Sequence, residues 1–458
     1  MNKIKNSIPN FFRAYDVRGL YGSEITTNVA YQIGRAFCSY LGNGSNVNIA
    51  EDTRRGSSEL LKYLTLGIIN SGCNSIYIGK VPSPILYFST KTIGSRAGVM
   101  ITASHLPPEW NGFKFCDKNG LVISDGFGLE EIRKLYLNPE WKTVPKGRSL
   151  IYNRISKDYS SFVNKNIENF GKQFNVTVDT SNSVPSLFLP ILFKKLGIVS
   201  HFINSKIMET PIHNVEPGVE SMKMLSDKVI ENSSNLGLMY DADGDRVAFV
   251  DEKGQVYPDG VVLIAIISNF LSSSSRGNTI VLDITCPSGL LEYLESLGLV
   301  PLISRVGHNY CSTMALRNNS LFAAQFSGHI SLQESHYRDD AIYASLKLIQ
   351  FVSKLEEPLS NFIKKNIPVF FYTTTAIEIY DRDKFELMRE IVKVVKEKEE
   401  KVIEIDGVKV LKDGGSYLIR VSNTSNIIRI MAEGKDETKK DLMMEIAMKT
   451  VKEVMNID

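Results

Sequence analysis

Four short segments of this chain hold polar side chains whose types and spacing could do chemistry. The first, TASHLPPEWNGFKF at 102–115, follows an apolar run and offers the Ser104 hydroxyl, the His105 imidazole and the Lys114 amine. Its two prolines exclude a regular helix or a central strand, so we expect a stiff, exposed loop with a candidate nucleophile. The alternative is a polar turn in which Ser104 bonds only the backbone, and spacing alone does not separate the two.

The second segment, LMYDADGDRVAFVD at 238–251, places Asp241, Asp243 and Asp245 in a tight loop between two predicted strands. Carboxylates this close repel one another unless a hard cation lies among them, and ligation by oxygen alone suits Mg²⁺ or Ca²⁺. An EF-hand fits poorly, because that loop needs glycine at its sixth position and Arg246 stands there. The remaining alternative is a solvated acidic turn.

The third segment contains RVGHNY and QFSGHI within 305–330, where His308 and His329 each follow a glycine. Each imidazole is a candidate proton carrier at neutral pH. The alternative for any single histidine is a hydrogen-bonded structural residue.

The fourth segment, LIRVSNTSNIIRIM at 418–431, crowds an arginine, hydroxyls and an amide into a turn between two predicted strands. Guanidinium, hydroxyl and exposed N–H groups can hold a phosphate without a long glycine-rich loop. The alternative is an ordinary turn with a surface arginine. The candidate ligands are Arg420, Ser422, Asn423 and Thr424.

The elements that must position these segments follow a repeated pattern. Three stretches each consist of an apolar strand ending in aspartate, a polar loop, an amphipathic helix and a glycine before the next strand. Strand–helix–strand units of this length imply crossover connections and largely parallel pairing. The spacing between the aspartates is that of a domain, which favours related domains in tandem over a short-period solenoid. The aspartates are Asp52, Asp179 and Asp283, and the glycines are Gly72, Gly197 and Gly298.

The last part of the chain follows a different pattern, which predicts a small α+β domain. Its predicted elements are a strand at 370–380, a helix at 384–398, a hairpin turn at Asp406-Gly407, strands at 417–421 and 427–432, and a helix at about 437–455. The predicted fold is three tandem related α/β domains with mixed, largely parallel sheets plus a C-terminal α+β domain, around a central cleft. The predicted domains are 1–147, 148–252, 253–366 and 367–458.

Composition excludes several classes of protein. A net charge of +2 over 458 residues provides no broad basic field for nucleic acid. Five scattered cysteines without metal-ligand spacing argue against a disulfide framework and favour a reducing compartment. The longest apolar run, 261–267, is too short for a membrane span, and the first ten residues lack the apolar core of a signal peptide. We therefore expect a cytoplasmic protein with no nucleic-acid or membrane partner.

Taken in order, the motifs resemble those of the α-D-phosphohexomutase superfamily over nearly the whole chain. FRAYDVRG at 12–19 is similar to its N-terminal signature, and HYRDDAIYA at 336–344 also resembles the family. TASHLPPEWNGFK is similar to its phosphoserine loop, DADGDR to its metal loop, FSGH to its sugar-specificity loop and RVSNT to its phosphate loop. The pattern is most similar to the phosphomannomutase/phosphoglucomutase branch, particularly its archaeal-type members.

The resemblance implies a Mg²⁺-dependent mutase that interconverts the 1- and 6-phosphates of glucose, mannose or both. It implies a phosphorylated Ser104 and a hexose 1,6-bisphosphate intermediate, with small sugar phosphates as partners and a monomer or homodimer as the assembly. The metal would be held by Ser104, Asp241, Asp243 and Asp245. Catalytic roles would fall on Ser104, His105, Lys114, Arg18, Arg246 and His329. Substrate binding would fall on Tyr15, His308, Gln325, Ser327, Arg420, Ser422, Asn423 and Thr424.

The chain departs from the family pattern at Gln325, where a glutamate usually stands. The amide keeps one acceptor but loses the charge that would hold two adjacent sugar hydroxyls. Ser425 and Asn426 likewise replace a Glu-Pro pair, and DTSNSVPS at 179–186 replaces a glycine-rich turn. The change at Gln325 leaves two alternatives open, a phosphoglucosamine mutase and a non-catalytic sugar-phosphate-binding protein. A third, a calcium-binding structural module, rests only on DADGD and is disfavoured by the geometry of that loop.

Overall fold

A computed structural model describes residues 9–141, 143–167, 170, 174–272, 277–380, 383–422 and 426–456. Within these ranges the strands are β1 (Val17–Leu20), β2 (Asn46–Glu51), β3 (Asn74–Lys80), β4 (Ala97–Ile101), β5 (Trp110–Asp117), β6 (Val122–Ile123), β7 (Ser149–Ile151), β8 (Asn175–Asp179), β9 (Val199–Ile203), β10 (Leu236–Tyr240), β11 (Val247–Asp251), β12 (Val256–Tyr257), β13 (Thr279–Asp283), β14 (Val300–Ser304), β15 (Phe322–Ala324), β16 (Ile330–Leu332), β17 (Phe371–Glu378), β18 (Val402–Ile403), β19 (Val408–Lys412), β20 (Gly415–Val421) and β21 (Ile427–Gly434).

The helices of the described ranges differ in how much of their surface is buried, and the one at Ala341–Lys354 is buried along nearly its whole length. They are α1 (Thr27–Leu41), α2 (Ser57–Asn70), α3 (Ser83–Ile93), α4 (Leu129–Leu137), α5 (Ile155–Asn166), α6 (Pro185–Lys195), α7 (Lys223–Glu231), α8 (Gly260–Ser272), α9 (Ser288–Ser296), α10 (His308–Asn318), α11 (Ala341–Lys354), α12 (Leu359–Asn366), α13 (Lys384–Lys398) and α14 (Glu437–Met455). None of them has both the length and the apolar character that a membrane crossing requires.

The chain forms two compact units, of which the first comprises Met1–Leu263 and Ser327–Phe362. Its larger sheet has the order β1-β5-β4-β2-β3-β7, with β6 beside β5. In that sheet β2 pairs in parallel with β3 and β4, whereas β5 is antiparallel to β4 and β1. The second sheet has the order β12-β11-β10-β8-β9, with β8 parallel to β9 and β10. Parallel pairing brings the loops after β2 and β4 to one sheet edge, and those after β8 and β10 to another.

The second unit comprises Ile264–Phe326 and Ile363–Asp458. One sheet pairs β13 in parallel with β14 and β15. The other is antiparallel in the order β17-β21-β20-β19-β18, and its apolar face packs against α13 and α14. Asp383 and Asp436 cap these two helices by accepting hydrogen bonds from backbone N–H groups of the first turn.

The repeat predicted from the sequence is present in the structure. Each of its three aspartate-ended strands is followed by a helix, then by a glycine with positive φ (Gly72, Gly197 and Gly298), then by a parallel strand. The predicted α/β class with a C-terminal α+β part is confirmed. The domain boundaries at 147, 252 and 366 stay a prediction.

One cysteine pair differs from the expectation. Cys38, near the end of α1, forms a disulfide with Cys73, just before β3, and their Cα atoms lie 5.9 Å apart. The other three cysteines are free and buried. The sequence argued against a disulfide framework, and this single bridge was not expected from it. A separation of 35 residues carries no signal in the sequence, because the packing of α1 on α2 brings the two cysteines together.

Candidate active site

The candidate nucleophile lies on a strained loop directly after β4. Ser104 has a φ of 53°, a left-handed conformation that few residues other than glycine adopt. Its backbone N–H donates a hydrogen bond of 2.8 Å to Thr102 Oγ1. The Ser104 side chain is buried, so the expectation of an exposed loop is wrong at this position; Pro107 and Glu109 are the exposed residues nearby. The hydroxyl therefore faces protein groups of the first unit.

Arg54 fixes the backbone of this loop by hydrogen bonds. Its guanidinium donates hydrogen bonds to the carbonyl oxygens of Ser104, Leu106 (2.6 Å), Pro107 (2.8 Å) and Trp110 (3.3 Å). Asp52, directly after β2, lies 3.3 Å from Arg54 Nε and balances its charge. Sequence reasoning missed Arg54, although its place just after an aspartate-ended strand was an available signal.

The three aspartates form a buried cluster in the turn between β10 and β11. One carboxylate oxygen from each of Asp241, Asp243 and Asp245 lies within 4.8 Å of the others. Asp241 Oδ1 accepts hydrogen bonds of 3.1 Å from the backbone N–H groups of Asp245 and Arg246. Ser104 Oγ donates to Asp241 Oδ2 at 3.2 Å. The structure therefore brings the predicted nucleophile and the predicted metal loop into direct contact.

Lys114, on β5, lies among these carboxylates. Its Nζ is 2.7 Å from both Asp243 Oδ2 and Asp245 Oδ2. Burial would lower the pKa of Lys114, but the two carboxylates raise it above the ordinary lysine value, so the amine stays charged. Ser83, at the start of α3, donates its hydroxyl to Asp243 Oδ2 at 2.7 Å and its backbone N–H to the Asp243 carbonyl at 2.8 Å. Sequence reasoning missed Ser83, which no motif marks.

The donor set of this cluster fits a hard divalent cation. Asp243 Oδ1 and Asp245 Oδ1 are buried and have no hydrogen-bond partner within the described residues. Burial raises the pKa of Asp241 well above its usual range, and the charges of Asp245 and Asp243 raise it further. A divalent cation would stabilise the charged form of these carboxylates, and oxygen-only ligation suits Mg²⁺ or Ca²⁺. The aspartates can therefore bind a metal ion.

Arg246 and His105 lie beside Ser104. Arg246 Nη2 contacts His105 Nδ1, and His105 Nδ1 lies 3.4 Å from Ser104 Oγ. Burial lowers the pKa of His105 well below its usual range, and the charges of Arg246, Arg18 and Lys114 lower it further. The imidazole is therefore neutral at neutral pH. Arg18, on β1, donates to the Ala103 carbonyl at 3.4 Å.

His329 also lies beside the metal loop, within the same unit. Its Nδ1 is 3.5 Å from Asp339 Oδ2 and 4.0 Å from Asp245 Oδ1. Ser327, two residues earlier, is exposed, and Tyr15 is half-buried in the bend before β1. The structure thus places His329 among the carboxylates, as a proton carrier for this site would need.

The other predicted residues belong to the second unit. His308 begins α10, and Gln325 is a buried residue after β15 whose Nε2 donates to Cys311 Sγ at 3.5 Å. Arg420, near the end of β20, is buried and places Nη2 3.2 Å from Asp406 Oδ2. Ser422 follows β20, and its carbonyl accepts from Lys384 Nζ at 2.7 Å. Asn423 and Thr424 lie outside the described residues.

Four family descriptions match the chain, each as one part of phosphoglucomutase/phosphomannomutase. Alpha/beta/alpha domain I matches 9–142, domain II 157–254, domain III 259–370 and the C-terminal domain 377–449. The chain belongs to the phosphoglucomutase/phosphomannomutase family.

Curated members of this family match the sequence over nearly the full chain. The phosphomannomutase/phosphoglucomutase of Pseudomonas putida is 30% identical over 439 residues, which cover 94% of this chain and 93% of the relative. The phosphomannomutase of the archaeon Methanocaldococcus jannaschii is 31% identical, covering 95% and 96%. A crystal structure of a phosphoglucomutase/phosphomannomutase family protein from Burkholderia thailandensis has a TM-score of 0.88 over 98% of each chain, at 24% identity. Other relatives carry the name phosphoglucosamine mutase.

These matches confirm the predicted superfamily and the prediction that the chain is a mutase of this family. The alternatives of a non-catalytic binding protein and of a calcium-binding structural module do not fit that result. The roles of the individual site residues stay predictions.

Proposed function

We propose that this member of the phosphoglucomutase/phosphomannomutase family interconverts hexose 1-phosphate and hexose 6-phosphate, with glucose and mannose phosphates as substrates. A phosphorylated Ser104 and a bound hexose 1,6-bisphosphate are the intermediates. The observation that carries the proposal is the 3.2 Å contact between Ser104 Oγ and the buried Asp241 carboxylate. A hydroxyl fixed beside an acidic metal-binding cluster is the arrangement that phosphoryl transfer needs.

In the first half-reaction, the bond between phosphorus and Ser104 Oγ breaks as a bond forms to the free sugar hydroxyl. That hydroxyl gives up its proton, for which we assign His329 as the acceptor. In the second half-reaction the other phosphoryl group of the bisphosphate moves to Ser104 Oγ, and the proton returns to the departing sugar oxygen. The sugar therefore changes the position of its phosphate without net consumption of phosphate.

Mg²⁺, when bound, would neutralise charge on the transferring phosphoryl group. Asp241, Asp243 and Asp245 would hold it, together with the phosphate on Ser104. Lys114 and Arg246 add positive charge beside the aspartate cluster, and Arg18 adds it beside the serine loop. His105, which is neutral, contacts both Arg246 and Ser104 and orients them.

We assign the phosphate that does not react to Arg420, Ser422, Asn423 and Thr424, and contacts to the sugar to Tyr15, His308, Gln325 and Ser327. The four domains at 1–147, 148–252, 253–366 and 367–458 would then contribute one motif each. We also propose that the protein is cytoplasmic and that it is a monomer or a homodimer.

A phosphoglucosamine mutase is the second candidate, because Gln325 lacks the carboxylate that would accept from two sugar hydroxyls. The experiment compares glucose, mannose and glucosamine 1-phosphates with Mg²⁺ and a trace of bisphosphate. We expect similar kcat/KM for glucose and mannose, and a kcat at least about 10³-fold lower with Ser104→Ala. A strong preference for glucosamine 1-phosphate would move the assignment to the second candidate, and retained activity in Ser104→Ala would contradict the mechanism.

A further inference from the structure

A long irregular segment of the first unit lies next to the candidate active site. It runs from 204 to 222, between β9 and α7, and we call it the strap. Its backbone is tied to the turn after β8, since Asn182 Nδ2 donates to the Lys206 carbonyl at 2.9 Å and Met208 N–H donates to the Asn182 carbonyl at 3.2 Å. No motif of the proposed function lies on the strap.

Two further contacts fix the start and the middle of the strap to the end of β8. His213 Nε2 lies 3.0 Å from Asp179 Oδ2, and Asn204 Nδ2 donates to the same oxygen at 2.7 Å. Asp179 is fully buried, and the His213 side chain is 12% exposed. The strap therefore has a defined position relative to the sheet that carries the metal loop.

Directly after this attachment, the strap presents Glu216. Its backbone N–H donates to Asn214 Oδ1 at 3.1 Å, and its carbonyl accepts from Ser221 Oγ at 2.8 Å. With its backbone held on both sides, Glu216 Oε1 accepts from Arg246 Nη1 at 3.2 Å.

Arg246 stands between Glu216 and the aspartate cluster. Its Nε is buried, lies 3.8 Å from Asp241 Oδ2 and has no hydrogen-bond partner within the described residues. That distance is too long for a hydrogen bond, so the guanidinium would have to move toward Asp241 to form one. Arg246 would then bond the oxygen that now accepts from Ser104 Oγ.

We propose that Glu216 is a positioning residue that holds Arg246 away from Asp241. Asp241 thereby keeps its second oxygen available for a cation and for Ser104. The inference rests on the proposed function, because it assigns the aspartate cluster to Mg²⁺. It adds to that function a residue outside the motifs, and it predicts that the strap tunes metal affinity through a single ion pair.

The test is Mg²⁺ binding measured by calorimetry on the full chain without sugar. The Glu216 carboxylate is 49% exposed, so solvent weakens its ion pair with Arg246. We expect Glu216→Gln to raise the Kd for Mg²⁺ about fivefold, the effect of an ion pair at the upper end of the exposed range. Glu220→Gln is the control, because it removes the same charge from an exposed position on the strap.

Two more variants separate positioning from a general loss of negative charge. Glu216→Asp keeps the charge but shortens the reach, so positioning predicts that it resembles Glu216→Gln, whereas long-range attraction predicts wild-type binding. In an Arg246→Ala background, positioning predicts that Glu216→Gln has no further effect on the Kd. Circular dichroism establishes that each variant is folded.

The inference is overturned if Glu216→Gln leaves the Kd unchanged, if Glu216→Asp binds like wild type, or if the wild-type chain does not bind Mg²⁺. Turnover of the wild-type chain is measured in parallel. No turnover on any hexose phosphate contradicts the proposed function, whereas intact turnover with an unchanged Kd in Glu216→Gln contradicts only the role of Glu216.

Discussion

The loop around Ser104 in the first unit is fixed by a buried cation, whereas Arg420 at the end of β20 in the second unit is fixed by a buried carboxylate. We call these two regions the serine loop and the arginine turn. Around Ser104, a buried cation fixes the loop, because Arg54 donates to the carbonyl oxygens of Ser104, Leu106, Pro107 and Trp110. At the end of β20 the buried cation, Arg420, is itself the candidate group for binding a phosphate. A buried carboxylate, Asp406, holds Arg420 at 3.2 Å.

The difference indicates what each region contributes. In the first unit the backbone is fixed in a strained conformation, and the reacting hydroxyl faces carboxylates that have spare oxygens. In the second unit Asp406 balances the buried charge of Arg420, to which we assign the phosphate that does not react. Substitutions at the serine loop should therefore lower kcat, and substitutions at the arginine turn should raise KM.

The strongest test of this contrast is Ser104→Ala. Removing the group that carries the phosphoryl should lower kcat by at least about 10³-fold with little change in KM. Steady-state assays on glucose 1-phosphate measure both constants. Ser71→Ala, at a buried serine on the turn after α2, is the matched control and should retain wild-type rates.

Arg54→Leu tests whether the loop depends on the buried guanidinium. The change leaves Asp52 as an unpaired buried carboxylate and removes the donors to the loop carbonyls. We expect a loss of about 3 kcal/mol in the free energy of unfolding of the first unit, measured with urea. The neighbouring Arg55→Leu provides the comparison, and equal stability of the two variants would contradict the role assigned to Arg54.

Arg420→Met should act on binding. Loss of one charge-assisted contact to phosphate should raise KM about 30-fold, which corresponds to about 2 kcal/mol, and leave kcat within a few-fold. Arg429→Met is the matched control, because Arg429 pairs with Arg420 across β20 and β21 but is exposed. If Arg420→Met lowers kcat and leaves KM unchanged, the serine loop and the arginine turn do not act on kcat and KM separately.

The smallest effect is expected at His213. Burial would lower its pKa, but the hydrogen bond to Asp179 and the charge of Asp179 raise it above the usual histidine value. A raised pKa in the folded state stabilises the fold below the ordinary histidine pKa, and this contribution is lost as pH rises through the raised value. His213→Asn should therefore cost roughly 1 kcal/mol at pH 5.5 and less at pH 8.5, by urea unfolding.

His201→Asn, at an exposed histidine on β9, is the control for that titration. Its free energy of unfolding should stay close to that of the wild type, because the side chain is exposed. A His213→Asn variant whose loss of stability is the same at both pH values would contradict the assigned titration.

Several elements of the fold and of the site could be predicted from short stretches of the sequence. The predicted helices at 384–398 and about 437–455 match α13 and α14, and the hairpin turn at Asp406-Gly407 joins β18 to β19. The aspartate cluster was visible because Asp241, Asp243 and Asp245 are close in sequence. Patterns of this kind need only short-range information.

The features that the sequence did not reveal depend on long-range packing. Arg54, Ser83 and Glu216 reach the site from segments that share no motif with it. The burial of Ser104 and the pairing of Cys38 with Cys73 likewise depend on how neighbouring elements pack. The turn at 179–186 had no account from sequence, and in the structure Ser183 Oγ donates to the Ala242 carbonyl at 2.7 Å, which ties this turn to the metal loop.

The central claim is that Ser104 carries the phosphoryl group during turnover. The most direct measurement incubates the chain with hexose 1,6-bisphosphate and Mg²⁺, then determines intact mass and maps the modified peptide. We predict a gain of one phosphoryl group on Ser104, and its loss when excess hexose 1-phosphate is added. Turnover by a chain that gains no phosphate, or that carries it on another residue, would contradict the account.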